Sequence, residues 1–192
     1  MSEQFFSVEH SLPINVTPLP ADYPLPELAV LEQEMPMPFR IAGNTGRVEP
    51  GTSHHLRAMD DQFGVLVDVI NLQSRKINLL LSYLLTQLDD PDCRCLTTRI
   101  GASELWFHHP QALAEGTPLR LKIFLQEYGG AVYCYGVVNH VQRSPEEHGP
   151  ALIQATYTRL REEDKETLVQ ASLLIQSRQL KLRAEQRANL KN

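Results

Sequence analysis

Cys93 and Cys95 sit two positions apart in an extended run, where their thiols would share one face, and the nearby pair His108-His109 could add imidazoles. Thiolates and imidazoles together would suit zinc. Structural zinc, however, is usually held by pairs spaced Cys-x-x-Cys, so this Cys-x-Cys reads as two small core or rim residues, and no metal is expected. Asp60-Asp61 and Asp89-Asp90 pair carboxylates, but they flank a helical segment instead of meeting at a strand end. No serine or cysteine stands in a recognisable context beside a base, and no glycine-rich phosphate loop is present; no catalytic residue is assigned and no enzyme is expected. Trp106, the only tryptophan, lies two residues from His108 and reads as barrel packing.

Composition narrows the function further. The 192 residues are 42% apolar, enough to bury a core, and the formal charge of −5 leaves no basic surplus for a nucleic-acid backbone. Three cysteines leave an odd thiol in any pairing, and the first residues are polar and acidic, so a reducing cytoplasm is the expected compartment. The longest apolar run, Asn78 to Leu88, is interrupted by Ser82, Thr86 and Gln87. It falls short of the roughly 20 apolar residues of a membrane span, and no membrane insertion is expected.

Four regions must position whatever chemistry there is. Residues 1–50 hold eight prolines and read as an extended arm, with a short helix from Pro26 to Met35. Residues 51–90 contain a long helix over Leu56 to Leu88. With Phe63 at heptad position a, Ile70, Ile77 and Leu84 follow at a, and Leu66, Gln73, Leu80 and Gln87 fall at d. Val67, Leu81 and Leu88 at e widen the stripe, which predicts either a bundle of more than two helices or a helix shared between a seam and its own barrel. Phe63, Leu66, Ile70, Gln73, Ile77, Leu80 and Leu84 are the expected self-association residues, with Gln73 and Gln87 as polar layers that set register.

In residues 91–160 the period changes to two. Leu119, Leu121, Ile123 and Leu125 alternate with Arg120, Lys122, Phe124 and Gln126, which predicts a strand with one face in a core and the other largely in water. Gly129-Gly130 turns the chain into a return strand from Ala131 to about Arg143, and Ala151, Ile153, Ala155 and Tyr157 mark another strand. With Arg94 to Ile100 and Glu104 to His108 ahead of them, these runs predict five antiparallel strands of a small barrel. Residues 161–192 form an amphipathic helix, acidic at its start and basic at its end, with Leu168, Ala171, Ile175 and Leu182 facing inward.

The ending Tyr157-Thr158-Arg159-Leu160 before the last helix, the strand Gly136-Val137-Val138-x-x-Val141 and the long helix ahead of the barrel carry a resemblance. From about Leu56 to Leu182 the chain resembles the PilZ family of bacterial cyclic di-GMP receptors, in particular its atypical, oligomerising subgroup in which heptad helices assemble a tetramer. The fold this implies is α+β: a small antiparallel PilZ-like β-barrel with a long inserted coiled-coil helix and a C-terminal helix.

Typical members hold the nucleotide with an Arg-x-x-x-Arg segment and an Asp/Asn-x-Ser-x-x-Gly turn. Aligned through Leu105 and Phe107, this chain has Arg99 in place of the acid or amide, Gly101 for the serine and Glu104 for the glycine. Glu104 brings a carboxylate to the edge of a dianion, costing about 1 kcal/mol at 4 Å in water. Arg94, Arg99 and Ser103 are what remains of a nucleotide site. The resemblance therefore implies a cytoplasmic, non-catalytic signalling adaptor in the cyclic di-GMP network, a homotetramer that acts through an unidentified protein partner and has no cofactor. The alternative is a genuine cyclic di-GMP receptor with a non-standard arginine set that includes Arg40 or Arg47.

Overall fold

The computed structural model describes residues 7–43, 61–125, 128, 130–146 and 149–189. In chain order these form β1 (Ser7–Glu9), β2 (Pro13–Pro18), α1 (Leu28–Glu34), α2 (Met37–Gly43), α3 (Asp61–Gln87), a 3₁₀ turn (Pro91–Cys93), β3 (Arg94–Gly101), β4 (Glu104–His109), β5 (Pro118–Leu125), β6 (Gly130–Gln142), β7 (Ala151–Arg159) and α4 (Glu162–Asn189).

The strands run in the order β1-β3-β2-β5-β6-β7-β4, all antiparallel, and a further β3–β4 pairing closes the sheet into a barrel. Five of its staves are those that the alternating runs predict. The sixth, β2, comes from the proline-rich arm and lies between β3 and β5, pairing Ile14 with both Cys95 and Ile123. Pro13 and Pro18 stand at the two ends of this strand, where a missing N–H least disturbs a ladder. β1 continues the arm along the second half of β3, with Val8 opposite Ile100. The buried Thr97 hydroxyl bridges the break between the two arm strands: it donates to His10 O at 2.7 Å and accepts from Leu12 N at 2.9 Å.

Side chains alternate into the barrel as the sequence dictates. Leu119, Leu121, Ile123 and Leu125 are fully buried, as are Ile153 and Ala155, and Leu168, Ala171 and Ile175 of α4 join the same core. At Gly136 the β6 and β7 backbones approach so closely that an added Cβ would lie 2.8 Å from Thr156 O, so only glycine fits. Gly116, in the loop before β5, takes a φ of +85°, which its lack of a Cβ permits.

The outer face of β5 and β6 departs from the expectation. Phe124, Tyr133 and Tyr135 do not face water; they form a second core with Leu31, Met35 and Phe39 of the arm and Leu81 and Leu85 of α3. Tyr135 donates to Glu34 Oε2 at 2.7 Å, and its ring stacks with that of Tyr23. The period-two pattern misses this cover because the covering segment is remote in sequence. Leu182 also departs from its expected inward position: α4 has run past the barrel by then, and the side chain is exposed.

The corner between α3 and the barrel is fastened by one buried side chain. Asn15 donates from Nδ2 to Asp89 Oδ1 at 2.8 Å and to Asp90 O at 2.9 Å, and its Oδ1 accepts from Asp90 N at 2.8 Å. Lys122 donates to the last-turn carbonyl of Leu88 at 3.0 Å, and Asp90 caps the 3₁₀ turn. Replacing Asn15 with Ala strands several polar groups in a half-buried corner. We expect a loss of about 2–4 kcal/mol in urea unfolding; a change below about 0.5 kcal/mol would show that the corner does not depend on this residue.

Candidate functional site

The strand that carries the nucleotide candidates contains a β-bulge between Thr97 and Arg99. Arg94 and Arg99 are five positions apart, a spacing that would put them on opposite faces of a regular strand. The extra residue returns Arg99 to the outer face that Arg94 occupies. They stand toward opposite ends of that strand. Arg94 donates from Nε and Nη2 to Asp89 Oδ2 at 3.0 and 2.6 Å, and this hydrogen bond and charge raise its pKa above the ordinary arginine value. Arg99 lies opposite Glu9 in register, with Nη2 3.4 Å from Glu9 Oε1.

Ser103 sits in the turn between β3 and β4, where its carbonyl accepts Tyr157 N at 3.0 Å. Glu104 beside it is engaged on both oxygens, by Gln154 Nε2 at 2.6 Å and by Trp106 Nε1 at 3.4 Å. Trp106 points outward from the barrel, edge-on to His140 with ring centroids 6.3 Å apart. Arg99 borders a groove whose lining includes neither Arg94 nor Ser103. Of the alternative arginines, Arg40 is in α2 and Arg47 lies outside the described residues.

The cysteines are placed by the barrel. Cys95 points into the core, where desolvation, with Cys93 close by, pushes its thiol up to about 11; complete burial pushes Cys134 well above the ordinary thiol value. Cys93 is half-buried in the 3₁₀ turn, with its sulfur 3.9 Å from Thr17 Oγ1. His109 Nδ1 is held by the backbone of Gln111, and His108 is exposed. Among the described residues no three His, Cys, Asp or Glu side chains gather into a set that could hold a metal.

On α3 the expected e residues Val67 and Leu81 are buried, together with Leu85, and Leu81 and Leu85 pack in the second core. Opposite them the helix is open. Leu66, Ile70, Gln73, Ile77, Leu80 and Leu84 are all exposed; the Phe63 side chain lies outside the described residues. A second exposed apolar row accompanies this seam: Val65, Leu72, Leu79 and Tyr83, with Leu79 72% exposed. At 3.6 residues per turn the two rows stand about 120° apart. The strip between them holds Val69, Lys76 and Gln87, with Gln73 and Leu80 on the edge of the first row that faces it. The heptad reading passes over the second row, although its seven-residue repeat at 65, 72 and 79 was the signal.

Comparison with known proteins places this architecture. No protein-family model matches the chain, and no curated protein matches it. A pathogenic protein from Xanthomonas campestris, a tetrameric PilZ domain self-assembled via an unusual helical bundle, is similar over 93% of this chain and 91% of its own, at 14% identity and a TM-score of 0.57. The Bacillus subtilis inhibitor of motility, MotI/DgrA, is similar over 44% of this chain at 21% identity and a TM-score of 0.40. The chain spans less than half (42%) of that protein. The fold is thus α+β and PilZ-like: an antiparallel barrel joined to a long helix before it and a helix after it. Among the described residues no helix is long and apolar enough to cross a membrane.

Thiol chemistry tests the placement of the cysteines. In the native protein at pH 8 an aromatic disulfide reagent should modify Cys93 alone, with Cys95 and Cys134 reacting only on denaturation. Rapid native modification of two or three thiols would contradict the burial of Cys95 and Cys134.

Proposed function

We propose that this protein is a non-catalytic, self-assembling adaptor of the bacterial cyclic di-GMP network, working in the cytoplasm through protein contacts, with α3 as its assembly element. The observation that carries this reading is a helix with two exposed apolar rows that the described residues of its own chain leave uncovered. Exposed large apolar side chains in continuous rows mark a surface that meets another molecule. An isolated chain leaves Ile70, Ile77, Leu72, Leu79 and Leu80 in water, at a cost of order 1.5–3 kcal/mol per side chain relative to full burial.

The two rows bear on the number of copies. A two-stranded seam consumes one stripe. Two stripes about 120° apart give each helix a neighbour on either side, and such contacts continue until they close into a ring. Gln73 and Lys76 then face the ring axis, where polar groups fix register at a cost in stability. The Xanthomonas protein assembles as a tetramer through a helical bundle, and four copies is the order we assign to this chain.

An adaptor role, as opposed to nucleotide reading by the standard turn, is favoured by the engagement of the degenerate motif within the barrel. Arg94 is tied to Asp89, and Glu104 to Gln154 and Trp106.

Light scattering on purified protein tests the assembly. The expected mass is four times the 21.8 kDa chain. Ile70→Lys with Ile77→Lys should reduce it, and so should Leu72→Lys with Leu79→Lys, because each pair removes one of two seams that a closed ring requires. A monomeric wild type would overturn the reading. A tetramer indifferent to the second pair would refute the two-seam arrangement.

A further inference from the structure

We infer that α4 pairs, antiparallel, with α4 of a second copy of this chain, through a stripe that its own barrel leaves uncovered. The first turns of the stripe carry Glu162 and Glu166, and its last turns carry Arg183 and Arg187. Between them stand Val169, Leu173 and Leu180, all exposed, and the half-buried Gln176. From 162 to 187 the steps alternate between four residues and three without a break, which is the spacing of a coiled-coil seam. At 100° per residue the middle of this stripe stands about 130° from the row of Leu168, Ala171 and Ile175 that packs in the barrel core. The two faces of α4 thus serve different contacts.

The charges identify the occupant. Turned end for end about a two-fold axis between residues 174 and 175, the stripe is its own complement. Glu162 meets Arg187 of the second copy and Glu166 meets Arg183; inside them Val169 meets Leu180, and Leu173 meets Gln176. One axis satisfies all four layers, and each layer recurs on the other side of it, as an interface between identical surfaces requires. Gln176 beside the axis supplies a polar layer of the kind that fixes register. A parallel pair would set glutamate against glutamate at one end and arginine against arginine at the other, which repel.

The charged ends are available for such a contact. Glu166, Arg183 and Arg187 form no ion pair among the described residues. Glu162 has Lys165 at 3.7 Å, but its side chain is 81% exposed, and a pair so open to water holds little. An anionic surface would suit the arginine end and be repelled by the glutamate end, whereas a second copy of α4 suits both. The contact uses no residue of α3 and stands apart from the bundle proposed above. Its solvated ion pairs contribute little each, so it forms at high protein concentration and is best read by trapping.

The experiment is disulfide trapping with diamide in the full chain, with Cys93→Ser to remove the half-buried native thiol. Val169→Cys together with Leu180→Cys should give a covalent dimer. The two positions lie about 16 Å apart along one helix and cannot close a disulfide within a chain. Val169→Cys alone and Leu180→Cys alone should stay at the mass of a single chain. In the double cysteine variant Arg183→Glu should lower the dimer yield about fivefold, and adding Glu166→Arg should restore it. Ile70→Lys with Ile77→Lys should leave the trapping intact, which separates failure here from failure of the α3 reading. No dimer from the double cysteine variant would overturn the inference. So would an equal dimer from Leu180→Cys alone, the mark of a parallel pair, or a yield that Glu166→Arg does not recover. The substituted positions on α4 are exposed, so these variants should keep the wild-type circular dichroism.

Discussion

The structure depends on one corner, where a buried amide turns a helix into a barrel. A long helix that ends against a sheet leaves its last carbonyls without intrahelical partners, and the proline four residues after the helix, Pro91, cannot continue the ladder. Lys122 donates to the carbonyl of Leu88 just past the helix, and Asn15 fixes the chain that follows by accepting from Asp90 N while donating to the Asp89 side chain and to Asp90 O. Because Asn15 belongs to β2, the arm strand that completes the barrel also sets the direction in which α3 leaves it. Barrel closure and helix orientation are thus one constraint.

The arm repeats this coupling on a larger scale. Its helices lie on the outside of β5 and β6 and enclose Phe39 between Phe124 and Tyr133, with Leu81 and Leu85 of α3 in the same cluster. One face of the helix root is therefore held between arm and barrel, while Tyr83 and Leu84 on its other side already belong to the exposed rows. At 1.5 Å per residue the 27 residues of α3 reach about 40 Å. An element of that length that is anchored at its root can hold several barrels in fixed relation.

What was legible in the sequence follows from how local each signal is. The inward rows of β5 and β7 could be read because alternation is a property of a few neighbouring residues, and the long helix α3 because a helical period is similarly local. The sixth stave could not: prolines 13 and 18 argue against a central strand, and only the register with Cys95 and Ile123, more than 80 residues away, shows that they stand at its ends. The burial of Phe124 was hidden for the same reason. Leu182 kept the helical period of the inward row, but the barrel ends before it does. At the candidate site, Arg94 and Arg99 could be named from the sequence. Their separate ion pairs could not, because one partner lies in the helix corner and the other on the arm.

The order of the staves bears on how assembly through α3 could leave the barrel accessible. In the ring β3, β2, β5, β6, β7, β4, the outer face of β5 and β6 is the wall against which the arm and the root of α3 are packed. β3 and β4 pair with each other on the far side of that ring. In a closed ring of copies each barrel would turn its α3 wall toward the shared axis and its β3–β4 side outward, so that the arm, by covering the outer face of β5 and β6, would shield the apolar wall nearest the axis.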